Sequence, residues 1–440
     1  MTDVPMPFAD PSRRAFLGGS LASLLLAHPG LARAASAALA SDVAADWPQV
    51  ADLIRRYVAE KKLPGVVATF GWGSAPPRSL LLGSQAFGDA AAVGLDSLYR
   101  IYSMTKPVTG LLTAMLITER KLSLDTRLAD VFPAFAAMKV QDGGKAGAPL
   151  RPTDKPITVR HLLTHTSGFG YGGIGRDAVS LELTRRGVVP GAVSRQIIPG
   201  VTSPTPTPGP KEFLRRASEV PLMFDPGVQF RYSMSLDILG LMLQEMTGKP
   251  LSRLMQERIF VPLGMTSTGF RVREADAGRL TTNYGVLGNM PLPIDPGAKS
   301  VFLDAPAFEF GGAGLVSSPR DFDRFAQVLV NDGKLDGKKV IDPAAVRLAV
   351  SNLLPAGAAT KGTGIESAGY GAGGRVGLGD DAGMFGWSGA AGTLFFVQRR
   401  IGLRAALFAQ FMPPEIYPLQ KEFLAAARLD VAPMLTKKAA

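Results

Sequence analysis

The stretch "RIYSMTKPVTG", residues 100–110, places a serine and a lysine three positions apart at the start of an apolar helical pattern. Residues three apart lie on one face of a helix, about one turn from each other. We therefore expect Ser103 and Lys106 to be neighbours where a short β-like run, residues 97–103, becomes a helix. Pro107 suits the first turn of that helix, where its missing N–H costs least.

A lysine beside a serine can replace a histidine as the base. Partial burial favours the neutral amine, and a neutral amine can accept the proton of the serine hydroxyl. Standing alone, the S-x-x-K pattern often occurs by chance, and an ordinary helix start explains it better. No G-x-S-x-G occurs in the chain, so the nucleophile elbow of α/β-hydrolases is not supported.

Two distant segments carry further candidate residues. "QFRYSMSLDILG", residues 229–240, places Tyr232 before a helix, and a phenol near an amine can relay a proton. "MFGWSGAAGTLFFV", residues 384–397, places Trp387 and a run of small residues ahead of a strand. Small residues let a substrate lie along a strand edge, and a backbone N–H there can face a developing oxyanion. A core tyrosine and a tight turn are the alternative interpretations.

Composition excludes several kinds of site. The chain has no cysteine, so a thiol nucleophile, a disulfide framework and a Cys-ligated zinc are excluded. Of three histidines, His28 falls in the N-terminal segment, which leaves His161 and His165. A histidine-rich metal site is therefore not expected, and we expect no metal or cofactor. The net charge of +11 comes from scattered basic residues without a nucleic-acid motif, so no nucleic-acid partner is expected.

The N-terminus has the layout of a twin-arginine export signal. Arg13 and Arg14 precede a short apolar run, and Ala32-Arg33-Ala34 is a cleavage candidate. We expect residues 1–34 to be removed and the mature protein to be periplasmic or secreted. The apolar run is too short for a membrane span. A disordered basic tail is the alternative.

The remaining chain predicts an α+β fold, an α/β sandwich. Helices at 47–61 and 418–429 and strand-like runs near both ends suggest one α/β unit, residues 47–119 and 311–430, with an antiparallel sheet. Residues 120–310 read as a mainly helical insertion. Within it, residues 171–210 form a long loop region that we expect to shape the substrate site.

Six segments in this order resemble the serine hydrolases of the class C β-lactamase and penicillin-binding protein type. They are similar above all to the β-lactamase-like carboxylesterases of family VIII. The resemblance runs from about residue 47 to 428. The segments are "YSMTKPVTG", "HLLTHTSGFG", "FRYSMSLDILG", "VPLGMTSTGF", "FGGAGLVSSPRDFDRFA" and "GWSGAAGTLF".

The resemblance implies a β-lactamase/transpeptidase-like fold and a role for each matched residue. Ser103 would be the acylated nucleophile, Lys106 its activating partner and Tyr232 the general base or proton relay. The backbone N–H groups of Ser103 and Ala390 would form the oxyanion hole. His161 and His165 would be structural, satisfying loop carbonyls.

Two departures from the family pattern bear on the substrate. Met234 stands where lactamases and peptidases of this type usually have asparagine, and Trp387 where they usually have lysine. An apolar methionine and a broad indole favour an uncharged acyl group. With Ser388 and Gly389, these residues are predicted to line the substrate site.

The leading hypothesis is a serine hydrolase that cleaves a small-molecule ester through an acyl-enzyme. A β-lactamase or D-alanyl-D-alanine carboxypeptidase and a non-catalytic penicillin-binding-like module are the alternatives. The sequence leaves the acyl length, the oligomeric state and the choice between hydrolysis and transesterification open.

Overall fold

The structure is a computed structural model that describes residues 41–198, 202–203, 205–288 and 290–439. The predicted export signal, residues 1–34, lies outside them. The helices are α1 Ser41–Asp46, α2 Pro48–Ala59, α3 Thr105–Thr118, α4 Leu128–Val131, α5 Val159–Leu163, α6 Ala178–Arg185, α7 Pro210–Ser218, α8 Ser235–Thr247, α9 Leu251–Met255, α10 Val261–Leu263, α11 Pro319–Val330, α12 Pro343–Ala349 and α13 Leu419–Ala439.

The strands follow the same chain order. They are β1 Gly65–Trp72, β2 Arg78–Gly83, β3 Tyr99–Arg100, β4 Lys139–Gln141, β5 Leu150–Pro152, β6 Asn283–Leu287, β7 Met290–Asp295, β8 Val316–Ser317, β9 Lys334–Leu335, β10 Lys338–Lys339, β11 Ala368–Tyr370, β12 Arg375–Gly377, β13 Met384–Ser388, β14 Leu394–Gln398, β15 Leu403–Phe408 and β16 Phe411–Met412.

The main sheet joins the two ends of the chain. Within the described residues it has seven strands in the order β11-β12-β13-β14-β15-β1-β2, and each neighbouring pair is antiparallel. The N-terminal β1 pairs with the C-terminal β15 from Val67–Phe408 to Trp72–Leu403. The predicted α+β sandwich with an antiparallel sheet is confirmed.

Side chains alternate between the two faces of this sheet, as the pleat requires. Val66, Ala68 and Phe70 of β1 pack on one face in a core with α2 and α13. Val67 lies on the opposite face, in a larger core that also contains α3, α8 and α11. Both faces are covered by helices, so the central strands β1, β14 and β15 are buried on each side.

Two buried ion pairs join elements that are far apart in the sequence. Arg100 donates to Asp295 from Nε at 2.6 Å, and both side chains are fully buried. Arg404 of β15 donates to Asp323 of α11 from Nε at 2.7 Å. If the elements moved apart, each partner would be left as an uncompensated buried charge, so separating either pair is costly.

The region between residues 120 and 310 contains short strands in addition to the expected helices. β4 pairs with β5, and β6 pairs with β7 and with β16 from the C-terminal part. Helix α5 is short: it stops at Leu163, and His165 has a φ of +54°. A residue in the left-handed region ends a right-handed helix. None of the described helices is long and apolar enough to cross a bilayer.

Candidate active site

The chain makes a tight turn as it enters α3. After β3 comes a single 3-10 turn, Tyr102–Met104, and α3 follows at Thr105. Tyr102 has a φ of +40°, an unfavourable conformation for a residue with a large side chain. Its ring packs edge-on against Phe302, with centroids 6.0 Å apart. The next residue, Ser103, is thereby presented at the N-terminal end of α3, with 8% of its surface exposed.

Lys106 lies one turn further along and is fully buried. Its Nζ is 3.2 Å from Ser103 Oγ, 2.9 Å from the carbonyl oxygen of Gly312 and 3.5 Å from the hydroxyl of Tyr171. The amine also lies 4.6 Å from the centre of the Tyr232 ring. The predicted Ser–Lys contact is present, and the lysine is held by groups from three other parts of the chain.

Tyr232 reaches the same hydroxyl from the segment before α8. Its OH donates to Ser103 Oγ at 2.7 Å across 129 residues of sequence. The phenol oxygen accepts a hydrogen bond from Trp387 Nε1 at 3.3 Å. The two rings are 5.5 Å apart and tilted by 39°. The hydroxyl, amine and phenol therefore form one connected cluster, with the indole behind the phenol.

The turn after β13 packs closely against the segment that leads into Ser103. Gly389 donates to the carbonyl of Thr393 at 2.8 Å, and Gln420 Nε2 donates to the Gly389 carbonyl at 2.9 Å. A Cβ at Gly389 would come within 2.4 Å of the Ile101 carbonyl oxygen, so only glycine permits this approach.

The residues beside Gly389 are half-buried. Ser388 ends β13, and Ala390 packs against the apolar cluster that contains Tyr102, the neighbour of Ser103. The structure thus brings Ser388, Gly389 and Ala390 to the N-terminal end of α3. The oxyanion role of the Ser103 and Ala390 amides stays a prediction.

Met234 lies elsewhere than expected. It precedes α8, it has no exposed surface and it belongs to the larger core. The side chain turns inward because its neighbours Ser233 and Ser235 take up the hydrogen bonds of this segment, which leaves the apolar side chain to the interior. Direct contact between Met234 and a substrate was the wrong prediction, because the side chain is buried in the core.

Sequence reasoning missed Asp237, a buried aspartate whose charge interacts with that of Lys106. Asp237 is fully buried on α8, and its Oδ1 accepts the Gly312 N–H at 2.8 Å, while its Oδ2 has no hydrogen-bond partner among the described residues. Burial raises the pKa of Asp237 to about 6, against the opposing charge of Lys106. One acidic residue inside the apolar pattern "SLDILG" was the available signal.

Tyr171 was also missed, although it follows the family-like "HTSGFG" directly. It is buried, its hydroxyl faces Lys106 Nζ, and its ring lies 5.5 Å from that of Tyr232. Burial raises the pKa of this phenol well above its ordinary value, so it stays protonated. It can therefore bind the amine without competing for the proton of Ser103.

His161 has a structural role, as expected, but of a different kind. Its Nδ1 accepts the N–H of Thr158 at 3.2 Å and completes the capping box of α5. Burial lowers the pKa of His161 to about 4, so the ring is neutral and can accept this bond. The bond therefore comes from a backbone amide, whereas bonds to loop carbonyls were expected. In the described part of the chain, no group of three or more His, Asp or Glu residues could hold a metal ion.

Comparisons with known proteins agree with this geometry. A sequence profile of the beta-lactamase family matches residues 50–429. Esterase EstB of Burkholderia gladioli is 30% identical over 330 residues, which cover 71% of this chain and 77% of EstB. Protein Rv1367c of Mycobacterium tuberculosis is 34% identical over 256 residues, which cover 58% of this chain and only 59% of that protein.

Solved structures show the same fold at lower identity. EstCE1, described as a hydrolase with promiscuous acyltransferase activity, superposes with a TM-score of 0.70 at 22% identity and covers 88% of this chain and 99% of its own. Simvastatin synthase (LovD) from Aspergillus terreus gives 0.66 at 21% identity, with 88% and 98% covered. With a family match over most of the chain and an esterase relative aligned over most of its length, the chain belongs to the beta-lactamase family and is similar to its family VIII esterases.

Proposed function

We propose that this protein is a serine esterase that works through an acyl-enzyme on Ser103. One observation carries the proposal. Ser103 Oγ lies 3.2 Å from the amine of Lys106 and 2.7 Å from the phenol of Tyr232, inside a cluster that is almost entirely buried. Two proton-handling groups on one hydroxyl are what a serine needs to become a nucleophile without a histidine.

The reaction divides between these three side chains. The reaction starts from the state in which the Lys106–Tyr232 pair holds one proton fewer than an ammonium and a phenol together. Ser103 Oγ attacks the ester carbonyl and gives its proton to this pair, and the backbone amides of Ser103 and Ala390 bind the oxyanion. The pair then protonates the leaving alcohol, so that its oxygen departs neutral and the acyl group remains on Ser103. Water, deprotonated by the same pair, releases the acid and restores the hydroxyl.

We infer the substrate class from Trp387, which lies next to the phenol of Tyr232. Trp387 supplies an N–H to Tyr232 OH at 3.3 Å, so this position contributes a hydrogen bond without a positive charge. A carboxylate on the substrate would find no cation at Trp387 and would be desolvated at a cost. We therefore propose neutral, apolar acyl esters as substrates. The names esterase EstB and lovastatin esterase among the relatives support this choice.

The deciding experiment compares the wild type with Ser103→Ala on p-nitrophenyl esters of increasing chain length, with nitrocefin alongside. We expect ester turnover by the wild type, loss of at least about a thousandfold in the variant, and an unchanged melting temperature. Retained turnover in Ser103→Ala would refute the proposal. Preferred hydrolysis of nitrocefin would favour the lactamase alternative. Absence of fluorophosphonate labelling at Ser103 would favour a non-catalytic module.

Acyl transfer to an alcohol is a second candidate, because several relatives bear acyltransferase names. Among them are acyltransferase mokF of Monascus pilosus and monacolin J acid methylbutanoyltransferase of Aspergillus terreus. The two reactions share the acyl-enzyme and differ in the acceptor. Product analysis of an activated ester with and without an added alcohol distinguishes them: a transferase forms the new ester even when water is in large excess.

We also propose export through the twin-arginine pathway. The support is the sequence pattern at Arg13 and Arg14, followed by the short apolar run and a small-x-small cleavage candidate. Expression of the full chain followed by cell fractionation tests it. We expect a shortened protein outside the cytoplasm and retention inside when both arginines are replaced by lysine; a cytoplasmic full-length protein would contradict the proposal.

A further inference from the structure

His165 occupies an unusual position in the loop behind Tyr232. Its side chain has no exposed surface, and its backbone is left-handed, with a φ of +54°. Residues other than glycine seldom adopt this conformation, although histidine, asparagine and aspartate do so more often than the rest, and it costs about 1 kcal/mol or more. The surrounding contacts must supply this energy, and most of them lie on the segment that carries Tyr232.

His165 accepts hydrogen bonds from the residues on both sides of Tyr232. The backbone carbonyl of His165 accepts the N–H of Arg231 at 2.8 Å, and its ring Nδ1 accepts the N–H of Ser233 at 3.2 Å. Arg231 and Ser233 are the immediate neighbours of Tyr232. The imidazole ring also packs against the tyrosine ring, with centroids 4.7 Å apart and a tilt of 49°. Backbone and ring of the phenol are therefore fixed by the same residue.

The ring must be neutral to hold this bond. Nδ1 accepts from an N–H, so the ring proton sits on Nε2, which has no hydrogen-bond partner among the described residues. Burial, together with the positive charge of Lys106, holds the pKa of His165 well below its ordinary value. The other titratable groups facing the ring are the phenols of Tyr232 and Tyr370, with Tyr370 edge-on at 5.5 Å.

A chain of buried hydroxyls extends the attachment. Ser233 Oγ lies 3.1 Å from His165 Nδ1 and 2.8 Å from Ser235 Oγ, which lies 2.7 Å from Ser167 Oγ. Ser167 belongs to the His165 loop, and Ser235 begins α8. The loop and the start of α8 are therefore joined twice, once on each side of Met234, and the fully buried hydroxyls satisfy one another.

We propose that His165 is a positioning residue that sets the distance between the Tyr232 phenol and Ser103. The proposal rests on the esterase function proposed above. A core histidine with a purely structural role would change stability when replaced but would leave the chemistry of the folded enzyme unchanged. A positioning residue changes kcat in the folded enzyme, and it does so only while the phenol is present.

Three variants test the role of the acceptor atom. His165→Leu keeps the bulk but loses the acceptor. His165→Asn keeps an acceptor oxygen near Nδ1 and tolerates positive φ. We expect His165→Leu to lower kcat by about 10- to 100-fold, the loss typical of a displacement near 1 Å, with KM within about threefold. We expect His165→Asn to stay within about fivefold of the wild type. His161→Asn, which alters the helix cap, should change the melting temperature and leave kcat unchanged.

A double-mutant cycle separates positioning from stability. In a Tyr232→Phe background, His165→Leu should cause no further fall in kcat, because the group it positions is already gone. If the leucine variant does not fold, His165→Gly relaxes the left-handed backbone and takes its place in both measurements, with added imidazole expected to restore part of the rate.

The outcomes are distinct from failure of the proposed function itself. Full activity in Ser103→Ala would remove the esterase proposal and this one with it. With Ser103→Ala inactive, a folded His165→Leu or His165→Gly with wild-type kcat would overturn the positioning role alone. So would an equal loss in His165→Asn, or multiplicative losses in the double mutant.

Discussion

Replacing Tyr232 with phenylalanine removes a single oxygen from the site and little else. The lost contacts are the bond to Ser103 Oγ at 2.7 Å and the bond from Trp387 Nε1 at 3.3 Å. The aromatic ring keeps its neighbours: Lys106 Nζ lies 4.6 Å from the ring centre, and the centre of the His165 ring lies 4.7 Å from it. The variant therefore tests the proton-handling role of the phenol with the packing of the cluster retained.

The expected effect on catalysis is much larger than that on stability. Loss of a general acid–base group lowers kcat/KM by about 10²- to 10⁴-fold. At 1.36 kcal/mol per factor of ten, this is about 3 to 5 kcal/mol of transition-state stabilisation. Loss of the half-buried hydrogen bonds should lower the free energy of unfolding by about 1 kcal/mol. Saturation kinetics on a short-chain p-nitrophenyl ester and urea unfolding measure the two quantities.

Tyr370→Phe is the matched control. Tyr370 belongs to the same aromatic cluster, with its ring 5.1 Å from that of Trp387, but its hydroxyl has no hydrogen-bond partner among the described residues. We expect this variant to keep kcat/KM within about twofold, because nothing near the chemistry is removed. If Tyr232→Phe retained more than a third of the wild-type kcat/KM, the assignment of the phenol as a proton relay would be refuted.

Three further predictions concern the scaffold. Gly110→Ala should destabilise the protein in urea unfolding although alanine is the better helix former by about 1 kcal/mol, because the new Cβ would lie 2.0 Å from the Ala372 carbonyl oxygen; a stabilised variant would contradict this packing. Asp323→Ala should lower the free energy of unfolding by roughly 3–5 kcal/mol, since it leaves Arg404 charged and buried; a loss below about 1 kcal/mol would show the pair to be dispensable. Burial lowers the pKa of His161 to about 4, so the stability due to its neutral ring is complete above about pH 6.5 and is lost as the pH falls through 4. Melting temperatures over this range should fall less steeply in His161→Asn, and identical slopes would contradict the assignment.

The fold was predictable because its signals are short in range. The apolar run of β1 and the helical spacing of apolar residues in α2 are read from a few neighbouring residues each, so the sequence predicts these elements directly. The strands β4 to β7 were not predicted, since β4 and β5 have only three residues each and β7 contains two prolines, which argue against a strand in a sequence.

The candidate site was predictable to the extent that residue chemistry decides it. Ser103 and Lys106 are one helical turn apart, so their contact follows from local geometry alone. Tyr232 was singled out by its chemistry and its family-like setting, but its distance to Ser103 depends on how α8 packs on α3. The sequence could not place Met234. An apolar side chain suits both the core and an apolar substrate site, and only the packing shows that it lies in the core.

By itself, the amino-acid sequence determined the helix that carries the serine and lysine, the sandwich class and the absence of a thiol nucleophile. Only the tertiary structure decided that a phenol 129 residues away bonds to the same hydroxyl. It also decided that Asp237 accepts the Gly312 amide and that His165 accepts the amides on both sides of Tyr232. The physical reason is range. Propensity and periodicity act within a turn or a strand, whereas the meeting of distant side chains is set by burial of whole faces, to which every residue of the core contributes.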